Sequence, residues 1–243
     1  IAGNTAVGQS VLGNNSGNNN SALGRNALYS NTSGNANNAQ GANALYSNTT
    51  GGNNAAIGLN SMYSNTTGSS NIAVGSYSLF SNTTGNNNTA IGQGAMKENI
   101  GGSFNTAIGQ TALNKNISGK NNTAIGQAAL FRNTTASQNT AIGMSSLYNN
   151  TSGNSNSSVG FRSLYSNTTG SFNNAQGVNA LLSNTVGNNN TAVGQATLKD
   201  NVSGSNNTAI GQTALWSNTT ASGNTAIGMQ SLYRNTTGKN NSA

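Results

Sequence analysis

The stretch Asn105-Thr-Ala-Ile-Gly-Gln-Thr-Ala-Leu-Asn-Lys-Asn-Ile-Ser-Gly-Lys-Asn121 decides the fold, because the chain is a succession of near-copies of it. The glycine of its Ala-Ile-Gly step recurs at Gly8, Gly24, Gly41, Gly58, Gly75, Gly92 and Gly109, and onward to Gly228. Every interval is 17 residues except the first, which is 16. Numbered from Asn105 as position one, position one is Asn and position five Gly in all fourteen copies. Position nine is always Leu or Met, and position twelve always Asn. Position three is Ala except at Ser158, position four is aliphatic except at Gln40 and Gln176, and Ala136 and Ala221 replace Gly at position fifteen. Residues 1–243 read as one repeat array, opening and closing inside a repeat as a fragment of a longer chain or filament would.

A unit of 17 residues buries no face alone, so neighbours must stack. Thr, Ile and Val at positions two to four favour a strand. Gly at five and fifteen marks corners that need unusual dihedrals. Asn at one and twelve suits left-handed backbone, and its amide can bond the next coil's amide in a ladder. A competing reading takes Ile108, Ala112 and Leu113 as one helical face, but so short a helix gains little without nucleation. The expectation is all-β: a β-solenoid with one 17-residue repeat per coil, about fourteen coils, and room for short helical corners. At about 4.8 Å per coil the stack spans about 65 Å. Its core is expected to be a column of Ile57, Val74, Ile91, Ile108, Ile125 and Ile142 beside a column of Leu45, Met62, Leu79, Met96 and Leu113, with Ala at position three letting two sheets approach. The structural ladder is expected at Asn105, Gly109, Leu113, Asn122, Gly126 and Leu130 and their equivalents.

Composition narrows the chemistry. Among 243 residues there is no Cys, His or Pro, and the two acids, Glu98 and Asp200, face nine Lys and Arg, for a net charge of +7. Leu, Ile, Val and Phe make 39 residues, few for a globular core. Without His or Cys there is no Ser-His or Cys-His pair and no thiolate metal site. Glu98 and Asp200 lie six coils apart, about 29 Å in the stacked picture, too far for paired carboxylates. No enzyme activity, cofactor or metal is expected. Lys97-Glu98 and Lys199-Asp200, 102 residues apart, read as solvated pairs. The cations form no run, which argues against nucleic acid as a partner, and no apolar run is long enough to span a membrane.

Position ten is aromatic in nine copies, from Tyr29, Tyr46, Tyr63 and Phe80 to Phe131, Tyr148, Tyr165, Trp216 and Tyr233. Such a column either stacks along the array or docks glycans or a second chain. Asn-x-Ser/Thr acceptor patterns occur at Asn31, Asn48, Asn65, Asn82, Asn116, Asn133, Asn150, Asn167, Asn201, Asn218 and Asn235, candidate glycosylation sites in a secretory host. Rows of Thr49, Thr66 and Thr83 beside Thr50, Thr67 and Thr84 suggest a second use, an ice-binding face.

The units "NTAIGQTALNKNISGKN" and "NTAIGQAALFRNTTASQ" resemble the Asn-Thr-Ala-Ile-Gly repeats of phage and giant-virus fibre shafts and of large bacterial surface proteins. Their Ala-Ile-Gly step is similar to the head repeats of trimeric autotransporter adhesins, which form left-handed parallel β-rolls from a shorter unit. The resemblance covers the whole chain and carries over no catalytic residue. It implies an extracellular, cell-surface or virion-surface fibre, filament or adhesin stalk that associates with itself, with glycans or cell surfaces as further partners. An ice-binding solenoid using the Thr rows is the alternative.

Overall fold

A computed structural model describes residues 3–243. The chain forms two compact units, Ile1–Asn121 and Asn122–Ala243. The first holds β1 (Thr5–Val7), β2 (Ser21–Leu23), β3 (Asn38–Gln40), β4 (Ala55–Ile57), β5 (Ile72–Val74), β6 (Thr89–Ile91) and β7 (Thr106–Ile108). The second holds β8 (Thr123–Ile125), β9 (Thr140–Ile142), β10 (Ser157–Val159), β11 (Asn174–Gln176), β12 (Thr191–Val193), β13 (Thr208–Ile210) and β14 (Thr225–Ile227). Within each unit successive strands pair in parallel and in sequence order, with like position on like position, as in Thr89↔Thr106, Ala90↔Ala107 and Ile91↔Ile108. Each unit is therefore a β-solenoid with one 17-residue repeat per coil.

Each coil has one strand, so no second sheet faces it. A strand of three residues points only its middle side chain inward. That residue is the alanine of position three, and Ala56, Ala90 and Ala124 are fully buried. The aliphatic residue at position four points out. Ile91 keeps 38% of its surface exposed and Ile125 37%, which corrects the expected Ile57–Val74–Ile91 core column. The core is narrower than that column required. It is built from Ala (Ser158 once) at three, Ala or Ser (Val11 and Thr197 excepted) at eight and one large side chain, the Leu or Met of position nine; Leu45, Met62, Leu113 and Leu130 are fully buried.

No helix forms at the corner after Gly109 and its equivalents. Positions five, seven and nine all adopt positive φ, as in Gly58 (132°), Asn60 (53°) and Met62 (51°). Alternating left-handed residues turn successive peptides in opposite directions, so their N–H groups bond to neighbouring coils instead of to the residue four back. Met62 N–H donates forward to Ser78 O (2.9 Å), while Asn60 N–H donates back to Ala42 O (3.0 Å). Left-handed backbone costs a leucine about 1–3 kcal/mol. It persists at Leu45 (52°) and Leu113 (50°) because each side chain is the sole large apolar filler of its coil.

The two conserved glycine positions of the unit differ in purpose. Position five needs its dihedral, with φ +125 at Gly143 and +132 at Gly109. Position fifteen has no positive φ, contrary to expectation; it needs space. A Cβ on Gly85 would lie 2.4 Å from Asn82 Oδ1 and 2.4 Å from Gly102 O. The asparagines of positions one and twelve are likewise absent from the left-handed region, which is occupied at positions seven and seventeen by residues such as Asn43 (58°) and Asn53 (59°).

Candidate interaction surfaces

The residues singled out from the sequence fall on four tracks around the coil: a buried asparagine track, an aromatic edge, a threonine turn and the outer strand face.

The asparagine track closes and stacks the coil. Asn71 Nδ2 donates to Gly85 O of its own coil (2.8 Å), and its Oδ1 accepts from the Asn88 N–H of the next (2.9 Å). Asn82 Nδ2 donates to the same Gly85 O (3.1 Å) and to Asn65 Oδ1 of the coil before (2.8 Å). The carbonyl at position fifteen thus clasps the asparagines of positions one and twelve, and each clasp is linked to its neighbours. Asn105 and Asn122 occupy this track, Leu113 and Leu130 sit in the core, and Gly109 and Gly126 take the left-handed corner. In the first, 16-residue copy the residue is lost from the turn after position twelve. Asn15 still accepts from Asn31 Nδ2 (2.6 Å), so the clasp is kept. Among the described residues no buried side-chain nitrogen or oxygen lacks a hydrogen-bond partner.

This geometry gives the asparagines of the glycan-acceptor patterns a structural place. Asn31, Asn48, Asn65, Asn82, Asn116, Asn133, Asn150, Asn167, Asn201 and Asn218 are fully buried. Their Nδ2 groups, where a glycan would attach, donate within the array, as Asn48 does to Asn31 Oδ1 (2.7 Å) and Gly51 O (2.9 Å). Asn235, half-buried, donates in the same way to Asn218 Oδ1 (3.3 Å) and Gly238 O (2.9 Å). In the folded coil these asparagines are ladder members. A sign of this lay in the sequence: position twelve stays Asn at Asn99 and Asn184, where no acceptor pattern follows.

The aromatic residues of position ten stack along the array. Tyr29–Tyr46, Tyr46–Tyr63 and Tyr63–Phe80 have centroids 5.3, 5.0 and 5.3 Å apart and planes within 15° of parallel. Phe131–Tyr148 and Tyr148–Tyr165 repeat this in the second unit at 5.1 and 5.2 Å. Both faces of Tyr46 and Tyr148 are covered by neighbouring rings, so no sugar ring can lie on them. Replacing Tyr46 by Leu removes two stacks and is expected to cost about 1–3 kcal/mol; denaturant unfolding measures it, and an unchanged midpoint would show the column to be incidental. Where the column breaks, cations cap aromatic faces: Lys199 Nζ lies 4.3 Å from the Trp216 centroid, and Lys97 Nζ 5.7 Å from that of Tyr77.

The expected pairing of Lys97 with Glu98 is replaced by one between coils. Glu98 is bound by Lys115 of the next coil. Adjacent residues on a chain point apart, whereas residues one repeat on stand above one another. Both partners are about two-fifths exposed, so the pair is worth about 0–1 kcal/mol.

The threonine turn also serves the stack. Thr49 Oγ1 donates to Thr66 O (3.0 Å), Thr66 Oγ1 to Thr83 O (3.0 Å) and Thr83 Oγ1 to Ile100 O (3.2 Å). The inner Thr row therefore has its donors committed to backbone. Of the six threonines named, Thr50, Thr67 and Thr84 stand exposed.

The outer strand face combines position two, mostly half-buried Thr, with the exposed aliphatic residue of position four. Position six extends it, with Gln in six of the fourteen copies, as in the contact of Gln110 Nε2 with Gln93 Oε1 (3.3 Å). In three consecutive coils Met144, Phe161 and Val178 replace that Gln and are 46, 36 and 42% exposed. Sequence reasoning placed Ile91 and its equivalents in the core and so missed this surface. The alternation of residue size, with invariant small Ala between Thr and Ile, was the signal available. Among the described residues no cluster of His, Cys, Asp or Glu could hold a metal ion, and no helix is long and apolar enough to cross a membrane. No protein-family model matches the chain, and no curated protein sequence matches it.

Proposed function

We propose that the chain is a non-enzymatic structural segment of an extracellular fibre, filament or adhesin stalk, of the kind formed by the Asn-Thr-Ala-Ile-Gly repeats it resembles. One observation carries this reading. Coil after coil, the same backbone ladder, asparagine clasp and leucine filler recur, and most of these bonds run between coils. A coil of this kind has little stability of its own and gains it from each neighbour, so the array extends by adding copies. Residue variation is spent on the outside, where it leaves the ladder intact. The work assigned to the molecule is mechanical reach, with surface association by its uncovered side chains.

Negative-stain electron microscopy tests this directly. Elongated particles or filaments are expected, growing longer when further 17-residue copies are inserted. Compact particles whose dimensions are insensitive to copy number would overturn the fibre reading.

A further inference from the structure

We propose that the outer strand face is the packing surface for a second copy of this chain, placed alongside it, parallel and in coil-for-coil register. The proposal rests on the fibre reading and names the partner that the exposed face takes.

The first observation is chemical. Positions two and four carry no charge in any of the fourteen strands, although the chain has a net charge of +7. Arg25, at position six, and Arg162, beside Phe161, border this face; the other cations lie on the turns and on the aromatic edge. Two copies approaching by those surfaces repel more than two approaching by the strand face. The same face holds an aliphatic row left in water, with Ile91 38%, Ile142 38% and Ile210 40% exposed. Burying such a row is the dominant favourable term in association.

The second observation is geometric. The side chains of this face repeat at the coil spacing, about 4.8 Å. A partner that meets every one of them must have the same spacing, and a copy of the chain has it by construction. The seven strands of one unit, about 34 Å along the array and roughly 13 Å across positions two to six, offer roughly 450 Å². A pair meeting through one unit therefore buries about 900 Å², below the size of stable specific interfaces and in the range of weak encounters, so pairing is expected only at high protein concentration.

The third observation fixes register and favours the parallel direction. Each unit has one polar interruption of the aliphatic row, Gln40 on β3 and Gln176 on β11. Both side chains lean along their own strand, donating to Asn38 Oδ1 (3.1 Å) and Asn174 Oδ1 (3.2 Å). In register, Gln176 of one copy meets Gln176 of the other and amide faces amide. Slid by one coil, it meets Val159 or Val193 and its remaining hydrogen-bonding groups are buried without partners, which is costly. An antiparallel pair about β3 matches Gln40 with Gln40 but engages only five strands of the first unit, β1 to β5, while one about β11 matches Gln176 with Gln176 over all seven strands of the second. The parallel pair alone matches the glutamine and engages all seven strands in either unit, and it is related by a two-fold axis along the array.

The chain has no cysteine, so single Ile125→Cys, Val159→Cys and Ile210→Cys variants can each be spin-labelled at one exposed site. Pulsed electron paramagnetic resonance over a series of rising protein concentrations should give one short inter-chain distance, the same at all three sites. Ser152→Cys, on the threonine turn, should give a longer one. An antiparallel pair about β11 would separate the labels at residue 125 by about six coils, or 29 Å, more than a face-to-face pair does, and would overturn the proposal. So would the absence of any short distance, which would leave the face to a partner of another kind, or a mass corresponding to three copies. Gln176→Lys, at an exposed site, should abolish the short distance at low salt while leaving the circular dichroism spectrum unchanged; persistence of the distance would overturn the assigned register. Filaments seen without matched labels would leave the fibre reading standing and remove this packing; matched labels on compact particles would do the reverse.

Discussion

Gly143→Ala is expected to destabilise the second unit by about 2–6 kcal/mol, from about 1–3 kcal/mol for a backbone conformation L-residues avoid and a similar amount for forced overpacking. Gly143 has φ +125, and its added Cβ would stand 2.7 Å from Gly160 O and 2.8 Å from Gly160 C. The obstacle is backbone of the next coil, which is itself held by Gly160 N–H donating to Ile142 O (2.8 Å). Neither partner can turn aside without breaking the ladder. Gly153→Ala is the informative companion. Its Cβ would also be crowded, 2.2 Å from Gly170 O, yet its φ is ordinary. The chain already carries Ala at this position: Ala136 is buried, and its carbonyl still accepts from Asn122 Nδ2 and Asn133 Nδ2, both at 2.9 Å. Crowding at position fifteen is relieved by a small shift of the coil, whereas the dihedral at position five has no such relief. Guanidinium unfolding of both variants should show Gly143→Ala to be the more damaging; equal losses would refute the distinction between the two glycines.

Asn65→Asp is expected to cost about 3–5 kcal/mol at neutral pH, the range for an uncompensated buried charge. The Asn65 Nδ2 group donates to Asn48 Oδ1 (2.8 Å) and Gly68 O (2.9 Å), and its Oδ1 accepts from Asn82 Nδ2 (2.8 Å). A carboxylate keeps the acceptor and turns both donors into acceptors facing acceptors, in a site with no exposure. Burial and the two facing oxygens favour the protonated acid, so its folded-state pKa lies above the ordinary aspartate value of about 4. The sign follows: the loss is smallest below that value, where one donor is restored, and grows as pH rises toward the folded-state pKa. Thr67→Asp, two residues on and exposed, should show no such dependence. Unfolding midpoints measured between acidic and neutral pH separate the two variants, and parallel pH profiles would argue against a donor role for Asn65.

Much of the fold was legible because a stacked array makes the same demand at every copy. Invariance of Asn at positions one and twelve marked the ladder, and the Thr-Ala-Ile step marked the strand. Two readings failed, and a third stopped short, for physical reasons that composition does not carry. Ile91 looked like core because it is apolar; a three-residue strand over a narrow coil inverts that, putting Ala90 inside and Ile91 out. The Asn-Thr-Thr run reads first as turn residues and second as a glycan acceptor, and the burial of its Asn, which makes it a ladder member, is not visible in composition. Gly85 read as a dihedral requirement when the constraint is the carbonyl of Gly102 above it. The left-handed leucine at position nine had no precedent in propensity, since local strain there is repaid by a contact that exists only in the stack.

The direction of the ladder bonds has a further consequence. In each unit the backbone bonds between strands lie along the stacking direction, while the chain itself runs around the coil. Tension applied along a unit therefore loads one coil's bonds at a time, like a stitched seam opened from its end. Each coil that lets go releases 17 residues, about 55 Å of slack after the height of the folded coil is subtracted. A segment so built yields in equal steps and dissipates work at each one, and a coil that re-forms finds its template in the coil beneath.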